Sequence, residues 1–486
     1  MRFSRSALPL SVAAALLSGC AVGPRYVAPA AHAPSHFAYG AAVEARSPGA
    51  ETAALVDWWR AFQDPVLTAL VERAVAQNLD LQQAMARVYQ ARAALKGANS
   101  ALLPSGQISG QAGEIYQSKE TPIGRLASAF PQFERSTESY DLNAGASWEL
   151  DLFGGRDAAR DAARAEWQAS AAGAVAARLA VIAQTADSYV AVRALQARLA
   201  IARDQRKTQQ ALTDLVRLQY QKGVAAELQL RQAEGALGQL QAAIPALQNQ
   251  LDMTMHALDV LLGAQPGTAR GTLADEGQVP LAPAIASVDG PASLLRRRPD
   301  IIAAERALAA SNARIGAAMS EYYPKFSFTA LLGTATTSAG GLFGGGATQA
   351  NGVLGLRWRL FDFGRVDAEI RAAKGRNAEL LAAYRQTVLR ASQDVEDAFS
   401  TLVQQEARAQ ALSEAEASLA RARSASFTAY KGGAVSLIEV LDADRRLLEA
   451  RDGVVQARAA ASRGAVASFR ALGGGWNPTA SGTPSN

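Results

Sequence analysis

The chain has 486 residues, one cysteine, three histidines and a formal net charge of +5 at neutral pH. One cysteine excludes an intrachain disulfide, and three histidines (His32, His36 and His256) argue against a histidine-rich metal site. So small a positive surplus over this length argues against a nucleic-acid partner, and no metal or cofactor is expected.

Residues 1–19 carry Arg2 and Arg5, a short apolar core from Ala7 to Leu17, and Ser18-Gly19 before Cys20. This is an export signal, too short to span a membrane as a helix. Small residues before a lone cysteine read as a bacterial lipoprotein signal, with Cys20 the lipidated first mature residue; the plainer alternative is an ordinary signal. Residues 20–56, rich in proline and alanine and holding His32 and His36, read as a lipidated tether.

The first repeat, 57–262, opens with Trp58, Trp59 and Phe62 as a compact helical cap. An alanine- and glutamine-rich helix is expected from about 65 to 103, stopped by Pro104. A strand follows at about 106–117, then a polar loop. Residues 140–152 alternate Tyr140, Leu142, Ala144, Ala146, Trp148, Leu150 and Leu152 with polar or small residues, the period of a two-faced strand. A long helix of about 156–221 and a return helix of about 226–262 complete the repeat, with Pro245 expected to kink the latter.

Residues 263–298 form a linker segment. Its basic run Arg296 to Arg298, before Pro299 and Asp300, reads as the start of a helix. The second repeat, 299–472, has strands at about 325–333 and 353–360. Leu354, Leu356, Trp358 and Leu360 alternate there with Arg357 and Arg359. A heptad seam from Leu381 through Tyr384, Val388, Ala391, Val395, Ala398 and Leu402 marks a long helix of about 365–430. At 1.5 Å per residue, some 65 residues reach roughly 95 to 100 Å, far more than a globular domain needs. A return helix of about 436–472 and a tail, 473–486, close the chain.

The two halves are copies. Trp148 and Trp358, Tyr220 and Tyr430, and Gly223 and Gly433 all stand 210 residues apart. Each copy supplies one hairpin, so the chain supplies four strands. Four strands with an oil-facing side cannot close a barrel, and lipid does not tolerate open sheet edges, so closure needs further copies of the chain. Three copies would give twelve strands, within the range of membrane barrels. Asp141, Asn143, Glu149, Arg357 and Arg359 oppose the apolar parity and are candidates for the barrel lumen.

The chain resembles the TolC family of outer membrane efflux factors over nearly all of its mature length. The motifs are Leu-Ser-Gly-Cys-Ala-Val-Gly-Pro at 17–24, Trp-Trp-Arg-Ala-Phe at 58–62, Arg-Arg-Pro-Asp-Ile at 297–301, Phe-Asp-Phe-Gly-Arg at 361–365 and Ala-Leu-Gly-Gly-Gly-Trp at 471–476. It looks most like the lipoprotein branch that serves resistance-nodulation-division (RND) pumps. The resemblance implies a mainly α fold with a small β part: a homotrimer whose twelve-stranded barrel in outer membrane lipid continues into a periplasmic α-helical barrel. It implies as partners a periplasmic adaptor protein and an inner membrane pump. It places a gate at Tyr430, Glu439 and Asp442, and adaptor-contacting turns at Lys222, Gly223, Val224, Gly432, Gly433 and Ala434. The chain departs from the family pattern at Gln229, often an aspartate, and at Val435, an arginine in some relatives.

The reading is a passive outer membrane exit duct for drugs or other small toxic compounds. The alternatives are the same duct used for protein or polysaccharide secretion, or a structural periplasm-spanning coiled-coil lipoprotein, which leaves the duplicated strands without purpose. An enzyme is not expected. The glycines from Gly341 to Gly346 lack the Lys-Ser/Thr of a phosphate loop.

Overall fold

The computed structural model describes residues 22–30, 35–46, 54–275, 277–285 and 290–477. Cys20 and His32 lie outside them. In chain order the main elements are α1 (Pro65–Gln77), α2 (Leu79–Ser100), β1 (Ser105–Tyr116), β2 (Ser136–Leu150), α3 (Gly155–Gln221) and α4 (Glu227–Leu261). The second half gives α5 (Pro299–Ser320), β3 (Lys325–Thr336), β4 (Thr348–Arg357), α6 (Arg365–Lys431) and α7 (Leu437–Ala471). The two long helices, α3 and α6, have 67 residues each, and the two return helices, α4 and α7, have 35 each.

The chain forms two compact units. The strand unit comprises the described residues up to Pro29 together with Tyr89–Ala169 and Glu305–Ala383. Its four strands form one antiparallel sheet in the order β1-β2-β3-β4. Register keeps the parities apart. Trp148 lies opposite Phe328, which lies opposite Leu354, and Leu150, Phe326 and Leu356 make the next apolar row. The large side chains on this face, Ile108, Phe328, Leu332 and Leu354 among them, are exposed in the protomer. The opposite face carries the polar residues. There the Gln349 amide donates to Asn143 Oδ1 at 2.8 Å across β3. Gly333 permits it, because a Cβ there would come within 2.2 Å of that same oxygen.

Each hairpin is locked at its base by an indole. Trp148 Nε1 donates to the carbonyl of Leu102 at 2.9 Å, and Trp358 Nε1 to that of Tyr322 at 3.0 Å. The segment just after Cys20 lies on α5 in this unit: Asn312 Nδ2 donates to the Pro24 carbonyl at 2.9 Å and the Tyr26 hydroxyl to Glu305 Oε1 at 2.8 Å.

The helical unit comprises the described residues of Ala30–Val88, Ser170–Ala304 and Tyr384–Asn486. Its core gathers the scattered motifs. Trp58 stacks on Phe469 with centroids 5.1 Å apart, and Trp59 and Phe62 meet Trp58 edge-on. Gly475 N donates to the Leu55 carbonyl at 2.7 Å, and Trp476 Nε1 to the Arg297 carbonyl at 3.0 Å. Arg298 is buried between Asp300, at 2.7 Å, and Asp394, at 2.9 Å. Burial pulls its pKa down, but hydrogen bonds and charge from both aspartates outweigh that and raise it.

The structure corrects the sequence in three places. The single helix expected over 65–103 is broken at Asn78, which is extended (φ −62°, ψ 130°). Its Oδ1 accepts from Leu81 N and caps α2, while its Nδ2 donates to the Leu261 carbonyl. The tether holds a short helix, Gly40–Glu44, with Phe37 edge-on to Phe399. The fourth strand stops at Arg357, so Trp358 and Leu360 lie past it. Arg359, one of the lumen candidates, follows β4 within the protomer and pairs with Glu321 at 3.1 Å and Glu369 at 3.4 Å. Helix α4 runs unbroken through Pro245, which lies on an exposed face with Gln241, the residue whose carbonyl loses its partner.

Among the described residues only α3 is long and apolar enough to qualify as a membrane-crossing helix. Its apolar residues instead serve the core of the helical unit, where Ile182, Tyr189, Val190 and Val192 are buried.

Candidate functional site

The turns that join α3 to α4 and α6 to α7 have the same backbone. Gly223 and Gly433 both sit at φ +75°, a conformation that only glycine adopts without strain. Gly223 N donates to the Tyr220 carbonyl and Val224 N to that of Gln219, each at 2.9 Å. Gly433 N and Ala434 N repeat this on Tyr430 and Ala429 at the same distances. This is the paired 6→1 and 5→2 closure of a Schellman motif, and it satisfies the last carbonyls of each long helix. Lys222, Gly223, Val224, Gly432, Gly433 and Ala434 are all exposed on these turns.

Beneath the turns the ends of four helices meet. Leu212 and Val216 from α3, Leu230 and Ala233 from α4, and Leu437 and Val440 from α7 form one buried cluster, with Phe427 and Tyr430 of α6 packed on it. The Tyr430 hydroxyl donates to Gln219 Oε1 at 2.8 Å, tying the last turn of α6 to the last turn of α3. Burial raises the Tyr430 pKa, so it stays a donor.

The other two gate candidates stand apart from this bond. Glu439 is exposed in the first turn of α7. Asp442 pairs with Arg445 at 2.8 Å and Arg446 at 2.7 Å on its own helix. The hydrogen bond from Arg445, then the charges of Arg446 and Arg445, hold its carboxyl below the usual range. Gln229 turns back to accept from Ala226 N at 3.1 Å, so it caps α4. The lumen candidates that lie within the strands, Asp141, Asn143, Glu149 and Arg357, share the polar parity of the sheet, and Glu149 pairs with Arg156 at 2.8 Å.

A sequence profile of the family described as outer membrane efflux protein matches residues 70–264 and 290–474, one stretch in each repeat. The chain belongs to that family. This outer membrane efflux protein is 32% identical over 491 residues to nodulation protein T of Rhizobium leguminosarum bv. trifolii, covering 99% of both chains. It is 30% identical to the cation efflux system protein CusC of Escherichia coli O6:H1, over 96% of this chain and 98% of the relative. Among solved structures, the outer-membrane channel OprN matches with a TM-score of 0.82 at 32% identity, over 94% of this chain and all of that one. The efflux protein is thus an outer membrane channel that extends into the periplasm.

Two features of the efflux protein's tip escaped the sequence reading. Gln219, the acceptor for Tyr430, has Ala429 as its counterpart in the second repeat, so the duplication offers no signal for it. Asp444 is buried on α7 and pairs with Arg423 Nε at 2.8 Å, while the Arg423 guanidinium lies over the Phe427 ring at 4.9 Å. Here a signal existed: Leu437, Val440, Asp444 and Leu447 are spaced three and four apart, which puts a carboxylate in an apolar seam.

Proposed function

We propose that the chain works as a homotrimer, three four-stranded sheets closing one twelve-stranded barrel and the paired helices lining a periplasmic duct. Through it, drugs or other small toxic compounds leave without binding tightly, handed over by an inner membrane pump of the RND type through a periplasmic adaptor that grips the two glycine turns. The observation that carries this reading is an antiparallel sheet with one exposed apolar face and two edges, β1 and β4, that no described residue pairs with. In lipid such edges need partners. Strands of 10 to 15 residues, tilted by about 45°, suffice to cross the hydrocarbon layer.

At the tip, the Tyr430–Gln219 bond ties the end of α6 to that of α3 and the resting duct is closed there, with Glu439 and Asp442 completing the gate. Relatives named for pyoverdine export and for cation efflux match this chain over most of its length, in keeping with a passive wall that does not select its cargo. The full-length protein is expected to form trimers in detergent and, in planar bilayers, small conductances that rise when Tyr430, Glu439 and Asp442 are replaced by alanine. Absence of conductance from the triple variant in an intact trimer sinks the duct. Deleting the gene in its host is expected to raise sensitivity to several toxic compounds.

A further inference from the structure

The internal duplication fixes how two copies join. In the first hairpin the Trp148 indole reaches the Leu102 carbonyl, and in the second the Trp358 indole reaches that of Tyr322. This equates β2 with β4 at a shift of 210 residues and β1 with β3 at a shift of 220. The sheet register agrees independently. Ser105 faces Ser147, and Lys325 faces Arg357, the same pair after those two shifts.

Between the hairpins, β2 meets β3 with Tyr140 opposite Thr336 and Leu150 opposite Phe326. Just below, Phe153 stacks on Tyr323 with centroids 4.7 Å apart. Among the described residues of the protomer nothing fills the matching junction on the far side of the second hairpin. The outer edge of β4 has no neighbour among the described residues, and Phe363, the counterpart of Phe153, is 100% exposed.

We infer that β4 of one copy pairs antiparallel with β1 of the next in the register that the β2–β3 junction dictates: Val353 opposite Gly113, Leu354 opposite Ala112 and Trp358 opposite Ile108. Phe363 then lies against Leu103 of that copy, which stands where Tyr323 stands in the second repeat and is itself exposed. This inference rests on the trimeric reading and deepens it.

Three features agree with the assignment. It keeps apolar parity next to apolar parity, whereas a slip of one residue would turn one strand inside out. It carries pairing of β4 to Leu360, the counterpart of Leu150. The alternation of Leu354, Leu356, Trp358 and Leu360 extends that far, although β3 holds β4 only to Arg357. It also gives the exposed Phe363 and Leu103 a contact, as their first-junction counterparts have.

The test is disulfide formation in the full-length protein. Val353→Cys combined with Gly113→Cys puts two cysteines directly opposite, about 4.5 to 5.5 Å apart at Cα, within reach of a disulfide. Neither replaced side chain is confined: Val353 is half exposed, and a Cβ on Gly113 meets nothing within 4 Å. Val353→Cys with Gln111→Cys or with Ile115→Cys is two residues out of register, about 7 to 8 Å apart. The expected result is a covalent trimer on non-reducing gels from the Gly113 pair and little from the other two.

A covalent trimer chiefly from either shifted pair overturns the register. No covalent species from any pair, with native mass spectrometry still finding trimers, overturns the seam and leaves the duct standing. No trimer from the unaltered protein removes the duct reading and the seam together. A second measurement uses Leu103→Tyr, which recreates beneath Phe363 the ring that Phe153 already has. It is expected to raise the temperature at which trimers dissociate in detergent, and Phe363→Ala is expected to abolish that gain. A gain that survives Phe363→Ala, or no gain at all, overturns the ring contact across the seam.

Discussion

The two helix-turn-helix tips share a backbone and differ in chemistry. Both long helices end on a glycine at φ +75° with the same pair of closing hydrogen bonds. In the first tip the buried polar groups are neutral: the Gln209 amide donates to the Ala233 carbonyl, the Thr213 hydroxyl donates to the Gln209 carbonyl, and Gln229 caps its own helix. In the second tip the core holds an ion pair, Arg423 with Asp444, and the tyrosine before the turn reaches across to the first tip. The turn therefore sets where each hairpin reverses, and the side chains behind it set how firmly each is held. The second tip is the one whose attachment depends on groups that can be removed singly.

The largest expected effect comes from Asp444→Ala. The Asp444 side chain is 4% exposed and that of Arg423 is 23% exposed, so deleting the carboxylate strands a half-buried guanidinium. Breaking a buried pair from one side costs about 3 kcal/mol or more. Limited proteolysis at the 432–434 turn is expected to speed up sharply, with cleavage at 222–224 little changed. Equal sensitisation of both turns would erase the contrast between the tips. Asp444→Asn keeps a hydrogen-bond acceptor and is expected to fall between the two.

Next in size are Gly223→Ala and Gly433→Ala. Each forces a Cβ into the left-handed region and costs about 1 to 2 kcal/mol. No atom lies within 4 Å of the added carbon at either site. The penalty is therefore conformational and is expected to be the same in both tips, measured as matched losses of trimer melting temperature. A large difference would mean that one turn is held by something other than its backbone.

Smaller still is Tyr430→Phe, which removes one hydrogen bond worth about 1 kcal/mol while keeping the ring on its apolar cluster. Single-channel conductance is expected to rise by a few fold. Tyr220→Phe alters the counterpart, which is 41% exposed, and is expected to leave conductance where it was. A rise from both variants would assign the effect to the phenols in general, not to the bond with Gln219.

How far these tips were legible follows from which forces write to sequence. Backbone reversal and face alternation do so directly. Tyr-x-x-Gly at a shift of 210, the alternation around Trp148 and the heptads from Leu381 all read correctly, because each rests on local periodicity or on glycine's freedom. Partnerships across helices leave weaker marks. Gln219 became an acceptor only because packing of α3 against α6 brought it to Tyr430, and nothing around it in the sequence points that way. Asn78 escaped because an asparagine inside an alanine- and glutamine-rich run breaks a helix only when its amide finds a distant carbonyl, here that of Leu261. The end of β4 was misplaced because its side-chain pattern runs past the last residue that β3 can hold.

The acidity dependence of closure is where the contrast between neutral and charged groups sharpens most. Tyr430 donates to an amide, which does not titrate, and its own raised pKa keeps the proton in place. With a raised folded-state pKa, its contribution is complete below about pH 10 and fades only as pH climbs past the folded value. Asp442 has the opposite sign. Its depressed pKa makes its contribution complete above about pH 4 and lost only as pH falls through the folded value. Of the other carboxylates around the tips, Asp214 and Glu234 pair with Arg217, Glu227 with Arg231 and Asp444 with Arg423, while Glu439 is exposed in the first turn of α7. No histidine occurs from residue 205 to 240 or from 420 to 450. Conductance of the closed channel is therefore expected to stay flat from pH 8 to about pH 5 and to rise only near or below about pH 4, where carboxylates take up protons. A bilayer titration showing a transition between pH 5 and 8 would mean that a group outside both tips holds the duct shut, and the difference between the tips would then have no part in gating.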